Sequence, residues 1–347
     1  MPDTRLARID RRSAIGTLAA AALTVGPPRP ARAAVTTVQF GSVGGLSDAG
    51  IYLADELGYF SAAGIAVAMQ KINSAPTLVQ SLATNQLDVA GISVTPGLFA
   101  SVALKINLRI VGDKQSYRRG FSGMRLIARP NAILGSEAAT IAGLKGKNIA
   151  LSARAGVTYY LLDRVLASQK LTLNDVKVVE LPYGSMYPAF TTGAIDAAIS
   201  LEPSLTETLQ QGAAKQVSDL IEFAPGGNMT SVPLVYSESF ARNRTLAQGF
   251  MTAYVKGVRV YNDAFERGKD KDKVIDIIAR HAKLSPAIVR SSFPFGLDPD
   301  QRVTTDVLED VQQFFVREGM LTTPARMSQV VDGSFARTSV ALLGSRA

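Results

Sequence analysis

The chain has 347 residues, 47% of them hydrophobic and 19% charged, with one histidine, no cysteine and no tryptophan. That length accommodates two domains of ordinary size, each with its own core. The missing cysteines exclude disulfides, thiolate metal sites, a cysteine nucleophile and an acyl-cysteine anchor, and the single His281 excludes a histidine-rich metal centre.

In chain order, the first 33 residues stand apart. They hold Arg5, Arg8, Arg11, Arg12, Arg29 and Arg32 against Asp3 and Asp10, half of the formal net charge of +8. What remains, 31 basic against 27 acidic residues, is spread without a long run or basic clusters interleaved with aromatics, so no nucleic-acid partner is expected. Residues 1–33 read as a signal peptide: a basic region, the apolar stretch Ala14–Val25, then Ala31-Arg32-Ala33 before Ala34. Those twelve residues make about 18 Å of helix, too short for a ~30 Å hydrocarbon core. The pair Arg11-Arg12 is of the twin-arginine kind, with a general secretion signal as the alternative. The expectation is a soluble, exported, periplasmic protein without a lipid anchor.

From Val35 onward, short β-type runs alternate with helix-type runs, the pattern of an α/β fold. Thr37–Phe40 is a strand, followed by the Gly- and Ser-rich turn Gly41–Asp48, with Asp48 or Ser47 as N-cap of a helix bearing Ile51, Ala54 and Leu57 on one face. Ile65–Met69 is the next strand. Ser74-Ala75-Pro76 opens a helix carrying Leu78, Val79 and Leu82. Leu87–Ile92 reads as a buried strand that ends in Ser93-Val94-Thr95-Pro96 and a further helix. Leu108–Val111 and Met124–Ala128 read as strands around a polar loop, Gly112–Ser122. A second series repeats the scheme: strand Asn148–Leu151, a turn over 152–158, a helix with Tyr160, Leu161 and Val165, strand Val176–Val179, helix Ser185–Thr192 and strand Ile195–Ile199. Glu202-Pro203 opens the next helix. After a strand at Ser231–Ser237 the chain turns helical, over Leu246–Phe265, Lys271–Ala282, Pro286–Ser292 and Thr304–Arg317.

The two series echo each other: Leu82-Ala83-Thr84-Asn85-Gln86-Leu87-Asp88-Val89-Ala90 aligns with Phe190-Thr191-Thr192-Gly193-Ala194-Ile195-Asp196-Ala197-Ala198. Each encodes a helix end, a residue tolerant of left-handed backbone (Asn85, Gly193), then a strand entry. Asp88 and Asp196 read as turn-closing carboxylates that accept local N–H bonds.

No catalytic constellation emerges: there is no G-x-S-x-G, no H-E-x-x-H and no S-x-x-K set, and Gly41–Gly45 lacks the ends of a phosphate-cradling loop. His281, between Arg280 and Lys283 on a helix, reads as part of a solvated face. No enzyme, cofactor or metal is expected. Small polar residues instead recur after strands in both series, where ligands bind at the carboxyl ends of parallel sheets and helix N-termini offer free N–H groups.

The run Leu53–Val67 (LADELGYFSAAGIAV), with Thr84–Ala90, Leu144–Ala150 (LKGKNIA), Thr192–Ala198 and Glu202-Pro203, resembles the solute-binding proteins of ABC importers, in the nitrate/sulfonate/taurine and thiamine-pyrimidine branch. The resemblance covers about Val35 to Phe265. It implies an α/β, two-lobe, type II binding-protein fold with a ligand cleft and two crossover strands. Lobe 1 would comprise 34–128 and 236–347 and lobe 2 129–235, with hinges near Met124–Arg129 and Ser231–Val235. The family's ligand loops map onto Ser42, Gly45, Ser47, Asp48, Ser93, Thr95, Gly156, Thr158, Tyr159, Tyr183 and Glu202, and Tyr117 is a candidate for stacking on a flat ring. The implied partners are a small-molecule ligand and, on separate chains, an ABC permease with its ATPase; the protein itself is expected to be a monomer. Lys114, Arg118, Arg119 and Arg125 gather between the last strands of lobe 1 and favour an organic anion such as a sulfonate, nitrate or carboxylate. Glu202 favours the alternative, a pyrimidine or other amino-bearing heterocycle; an enzyme or a sensor module of the same fold is the remaining alternative.

Overall fold

The structure, a computed structural model, describes residues 35–346 apart from 73, 105 and 107. The signal peptide expected over 1–33 lies outside the described residues. Among the described residues, ten strands form two five-stranded sheets. The first contains β1 (Thr36–Ser42), β2 (Ile65–Lys71), β3 (Val89–Gly91), β4 (Leu108–Arg118) and β10 (Asn228–Ser237), in the order β2-β1-β3-β10-β4. The second contains β5 (Met124–Ala128), β6 (Asn148–Leu151), β7 (Lys177–Glu180), β8 (Ala197–Leu201) and β9 (Lys215–Ser218), in the order β7-β6-β8-β5-β9.

Both sheets follow one plan. Three strands run parallel, a fourth runs antiparallel to the third, and a fifth closes the edge. The fourth strand of each sheet comes from the chain crossing over from the other: β4 leads into β5, and β9 leads into β10. The crossings therefore occupy residues 118–124 and 218–228, and the hinges expected at 124–129 and 231–235 are corrected. Those residues are paired strands within the sheets. Met124–Ala128 is buried along its whole length, and a strand buried on both faces belongs inside a sheet.

A second correction concerns the polar loop expected over Gly112–Ser122. The strand β4 continues through it to Arg118. Its polar side chains are buried and find partners: Gln115 donates to Ser231 Oγ (3.0 Å), and Asp113 accepts from the Asp298 N–H (2.9 Å). Polar residues with buried partners satisfy the rule that a loop would otherwise satisfy with water.

The local signals explain the other elements. Ser74 Oγ caps the helix Ala75–Ala83 through Thr77 N, and Thr95 Oγ1 caps Pro96–Ala103 through Leu98 N (3.2 Å), each with a proline in the first turn. Asn85 (φ 58°) and Gly193 (φ 75°) both take the left-handed conformation. The two echoing aspartates accept from the neighbouring strand rather than from their own turns: Asp88 Oδ2 from Gln39 N (2.8 Å), Asp196 Oδ2 from Asn148 N (3.0 Å). Each carboxylate thus ties the third strand of its sheet to the second.

Candidate functional site

A cleft of about 850 Å³ lies between the two sheets. From the first lobe it is lined by the turn after β1 (Val43–Ser47), the end of β2 (Lys71), the segment after β3 (Ser93–Thr95) and by Lys114, Gln115 and Tyr117 of β4. The second lobe contributes Ser152 and Gly156–Thr158 after β6, Pro182–Gly184 after β7 and Leu201–Pro203 after β8. The carboxyl ends of the parallel strands in both sheets thus open on one space.

Nine of the twelve candidate residues line it: Gly45, Ser47, Ser93, Thr95, Tyr117, Gly156, Thr158, Tyr183 and Glu202. Ser42, Asp48 and Tyr159 do not. Tyr159 is buried edge-on against Phe314, with ring centroids 5.6 Å apart, because it occupies the core-facing side of the helix Val157–Ala167. Ser42 and Asp48 lie one layer behind the wall. Asp48 stands at the start of the helix Ala49–Glu56, yet its side chain does not cap it. The carboxylate instead pairs with the buried Lys114, accepts from Ser42 Oγ at 2.5 Å and lies 3.5 Å from Tyr52 OH. Lys114 also donates to Ser47 Oγ (2.9 Å).

Of the four cations expected to meet an anion, only Lys114 lines the cleft. Arg118 bonds Glu266 (2.5 Å) and stacks over Phe121, while the exposed Arg119 bonds both oxygens of Glu222. Arg125 lies over Phe293, donates to Met124 O (2.7 Å) and pairs with Asp219 (3.3 Å). Carboxylates distant in sequence claim them, which spacing alone does not reveal.

Apart from Lys71 and Glu202, the remaining polar wall is uncharged and internally wired. Gln115 Nε2 donates to Tyr117 OH (3.1 Å) and Ser231 Oγ (3.0 Å), and Ser152 Oγ donates to Tyr183 OH (2.9 Å). Burial, with Tyr183 close by, pushes the Tyr117 phenol well above its ordinary range, so it stays protonated. Glu202 accepts from Thr206 Oγ1 (2.7 Å), Thr206 N (3.2 Å) and Phe293 N (2.9 Å). Burial raises its pKa, and these donors oppose the rise. The sequence reading missed Gln115, Ser231 and Phe295. Phe295 comes from the segment Phe293-Pro294-Phe295-Gly296, whose aromatic and turn residues marked a break between helices and nothing more.

His281 is not simply on a solvated face. It stacks on Tyr52 (4.9 Å between centroids) and meets Glu56 at 3.1 Å. Among the described residues, no group of three or more His, Asp or Glu side chains is placed to hold a metal, and no helix is long and apolar enough to cross a membrane.

The family model described as NMT1/THI5 like matches residues 47–264. The chain belongs to the NMT1/THI5-like family. Its fold is shared with the alkanesulfonate-binding protein SsuA of Xanthomonas axonopodis pv. citri, solved bound to MOPS. The two are 20% identical, with 86% of this chain and 99% of that one covered at a TM-score of 0.66. The nitrate-binding protein NrtA of Synechocystis PCC 6803 is 15% identical over 89% of both chains, also at 0.66. The desulfurization enzyme DszB, solved as a cysteine-to-serine mutant in complex with biphenyl-2-sulfinic acid, is 18% identical over 88% of this chain and 99% of that one, at 0.63. At such identities the likeness is one of fold, the two-lobe type II architecture. None of the curated proteins matches the chain.

Proposed function

We propose that this NMT1/THI5-like protein is the periplasmic binding component of an ABC importer, capturing a small organic solute between its lobes and delivering it to a permease on another chain. The observation that carries the reading is the cleft of about 850 Å³ lined from both sheets by strand-end residues. That volume suits an organic molecule with a ring-sized body, and nitrate would leave most of it to water. Sulfonates, carboxylates and pyrimidines are the classes to separate. Phe295, Tyr117 and Tyr183 offer apolar surface to such a body, with hydroxyls for its polar edge.

The DszB fold makes an enzyme the second reading, and the Ser47–Lys114 contact is the feature here that resembles a nucleophile with its base. Lys114 is also paired with Asp48, and an ammonium held by a carboxylate has no lone pair with which to take the Ser47 proton. Capture without turnover fits that geometry better.

A thermal-shift screen of sulfonates, nitrate, aromatic acids and pyrimidines tests the reading, with Gly156→Trp as control. Gly156 lines the cleft, has an extended backbone (φ −162°) and has nothing within 4 Å of an added Cβ, so an indole can be added at the cleft wall without backbone strain. A ligand should raise the melting temperature of the wild type and leave the Gly156→Trp variant unmoved. Turnover of any compound without a stabilising ligand would reject the transport reading.

A further inference from the structure

We infer that the buried Asp48–Lys114 pair is a charge gate, which sets the cleft to accept solutes uncharged at their inner end and to reject simple anions. The inference rests on the cleft being the ligand site. Lys114 reaches the cleft wall along a track that only glycine permits: a Cβ at position 91 would lie 2.1 Å from its Cδ. At the end of that track the amine meets Ser47 Oγ and the Asp48 carboxylate, with the two side chains 1% and 3% exposed. Asp48 is itself pinned by Ser42 Oγ at 2.5 Å, with Tyr52 OH beyond it at 3.5 Å. The Tyr52 ring is backed by the stacked His281.

An anion entering the cleft therefore meets a cation that already has a tethered carboxylate at contact distance. To bind Lys114 it must displace Asp48 or share the amine with it, at a like-charge cost that rises with burial. Glu202, on the opposite lobe, places a buried carboxyl group in the wall itself, in addition to Asp48 behind it. Among the described residues, the only other cation lining the cleft is Lys71, which is exposed at the end of β2. Uncharged donors and acceptors, by contrast, are plentiful on the wall: Gln115, Tyr117, Ser152, Tyr183 and Ser231. The gate thus favours a neutral, ring-bearing solute over the free sulfonate, nitrate or carboxylate that the basic residues suggested.

Asp48→Asn keeps an acceptor for Ser42 and removes the compensating charge. Isothermal titration and thermal shift with benzoate, methanesulfonate and nitrate as probes should show no saturable binding to the wild type at millimolar concentration. Asp48→Asn should bind at least one of them about tenfold more tightly or better. The gain should vanish in Asp48→Asn/Lys114→Met and in Asp48→Asn/Gly156→Trp. A wild type that binds any of these anions in the cleft as tightly as Asp48→Asn does overturns the gate while leaving solute capture intact. So does a folded Asp48→Asn that gains nothing. An anion response that survives Gly156→Trp lies outside the cleft and counts against the capture reading itself. Asp48→Ser provides the second variant, and failure of both to fold makes the pair scaffold and ends the proposal.

Discussion

Asp113 shows how much a single buried group can weigh. It neighbours Lys114 on β4, is fully buried, and has one oxygen bonded by Asp298 N. Desolvation pushes its pKa up to about 7, with the Asp298 charge adding to the rise and the Asp298 N–H, Ser116 and Thr230 opposing it. A carboxyl group whose folded pKa exceeds its unfolded value binds more protons folded than unfolded between the two. Its contribution to stability is therefore complete below about pH 4 and falls by up to about 1.4 kcal/mol per unit toward pH 7. Asp113→Asn removes that dependence. Urea denaturation should find the variant gaining on the wild type between pH 5 and pH 8, and a difference that is the same at both would rule out an ionisable penalty at this site. None of this was legible from the sequence, where Asp113 sat in an apparent polar loop. Strand-end hydroxyls such as Ser93 and Thr95 were legible because their position follows from local chain order. The partners of Lys114 and Arg125 were not, because they lie 66 and 94 residues away, at Asp48 and Asp219.

Between elements, the crossing of two helices is decided by glycine. The helix Arg244–Arg267 lies across Ala49–Glu56 with Gly257 over Gly50, so closely that a Cβ on Gly257 would stand 2.3 Å from Gly50 O and 2.7 Å from Ala54 N. Backbone atoms cannot yield as a side-chain tip can. Eight residues earlier in the same helix, Gly249 meets only ordinary contacts, at 3.7 Å from Ile65 Cδ1 and 3.8 Å from Ala63 Cβ. Helix propensity alone would reward alanine at both positions by about 0.5–1 kcal/mol. The packing separates them: Gly249→Ala should stabilise by roughly that amount, whereas Gly257→Ala should destabilise by about 1–3 kcal/mol through overpacking. Denaturant midpoints of the two variants provide the check, and a stabilised Gly257→Ala would show that the helices can move apart cheaply. The helical spacing of three and four made this long helix legible; its mate and its crossing point emerge only from the packed structure.

At the scale of the molecule, two lobes of one plan were visible in the echo around Asp88 and Asp196, but the crossings were misplaced into the strands that follow them, because a strand entered from the other lobe looks like any other strand. What the chain order also concealed is that the C-terminal region serves both lobes. Phe293 N bonds Glu202 of the second lobe (2.9 Å), while Gly296 pairs with Ser116 of the first. Phe295 packs so closely at the first crossing that a Cβ on Gly123, at φ +52°, would lie 2.5 Å from its ring. Further along, Asp310 accepts from Tyr160 OH (2.5 Å), and Arg317 bonds Asp163 (2.7 Å), both on the second-lobe helix Val157–Ala167. Neither lobe can lose its packing without stripping surface from this shared region. The expectation is one cooperative unfolding transition for residues 35–346, with far-UV circular dichroism and the fluorescence of the ten tyrosines changing together. Phe295→Ala removes a buried aromatic at the crossing and should cost about 3–5 kcal/mol. Because it loosens the join rather than either sheet, it should also be the change that first pulls the two probes apart. Two separated transitions already present in the wild type would mean that the lobes are stable on their own and that the C-terminal region does not couple them.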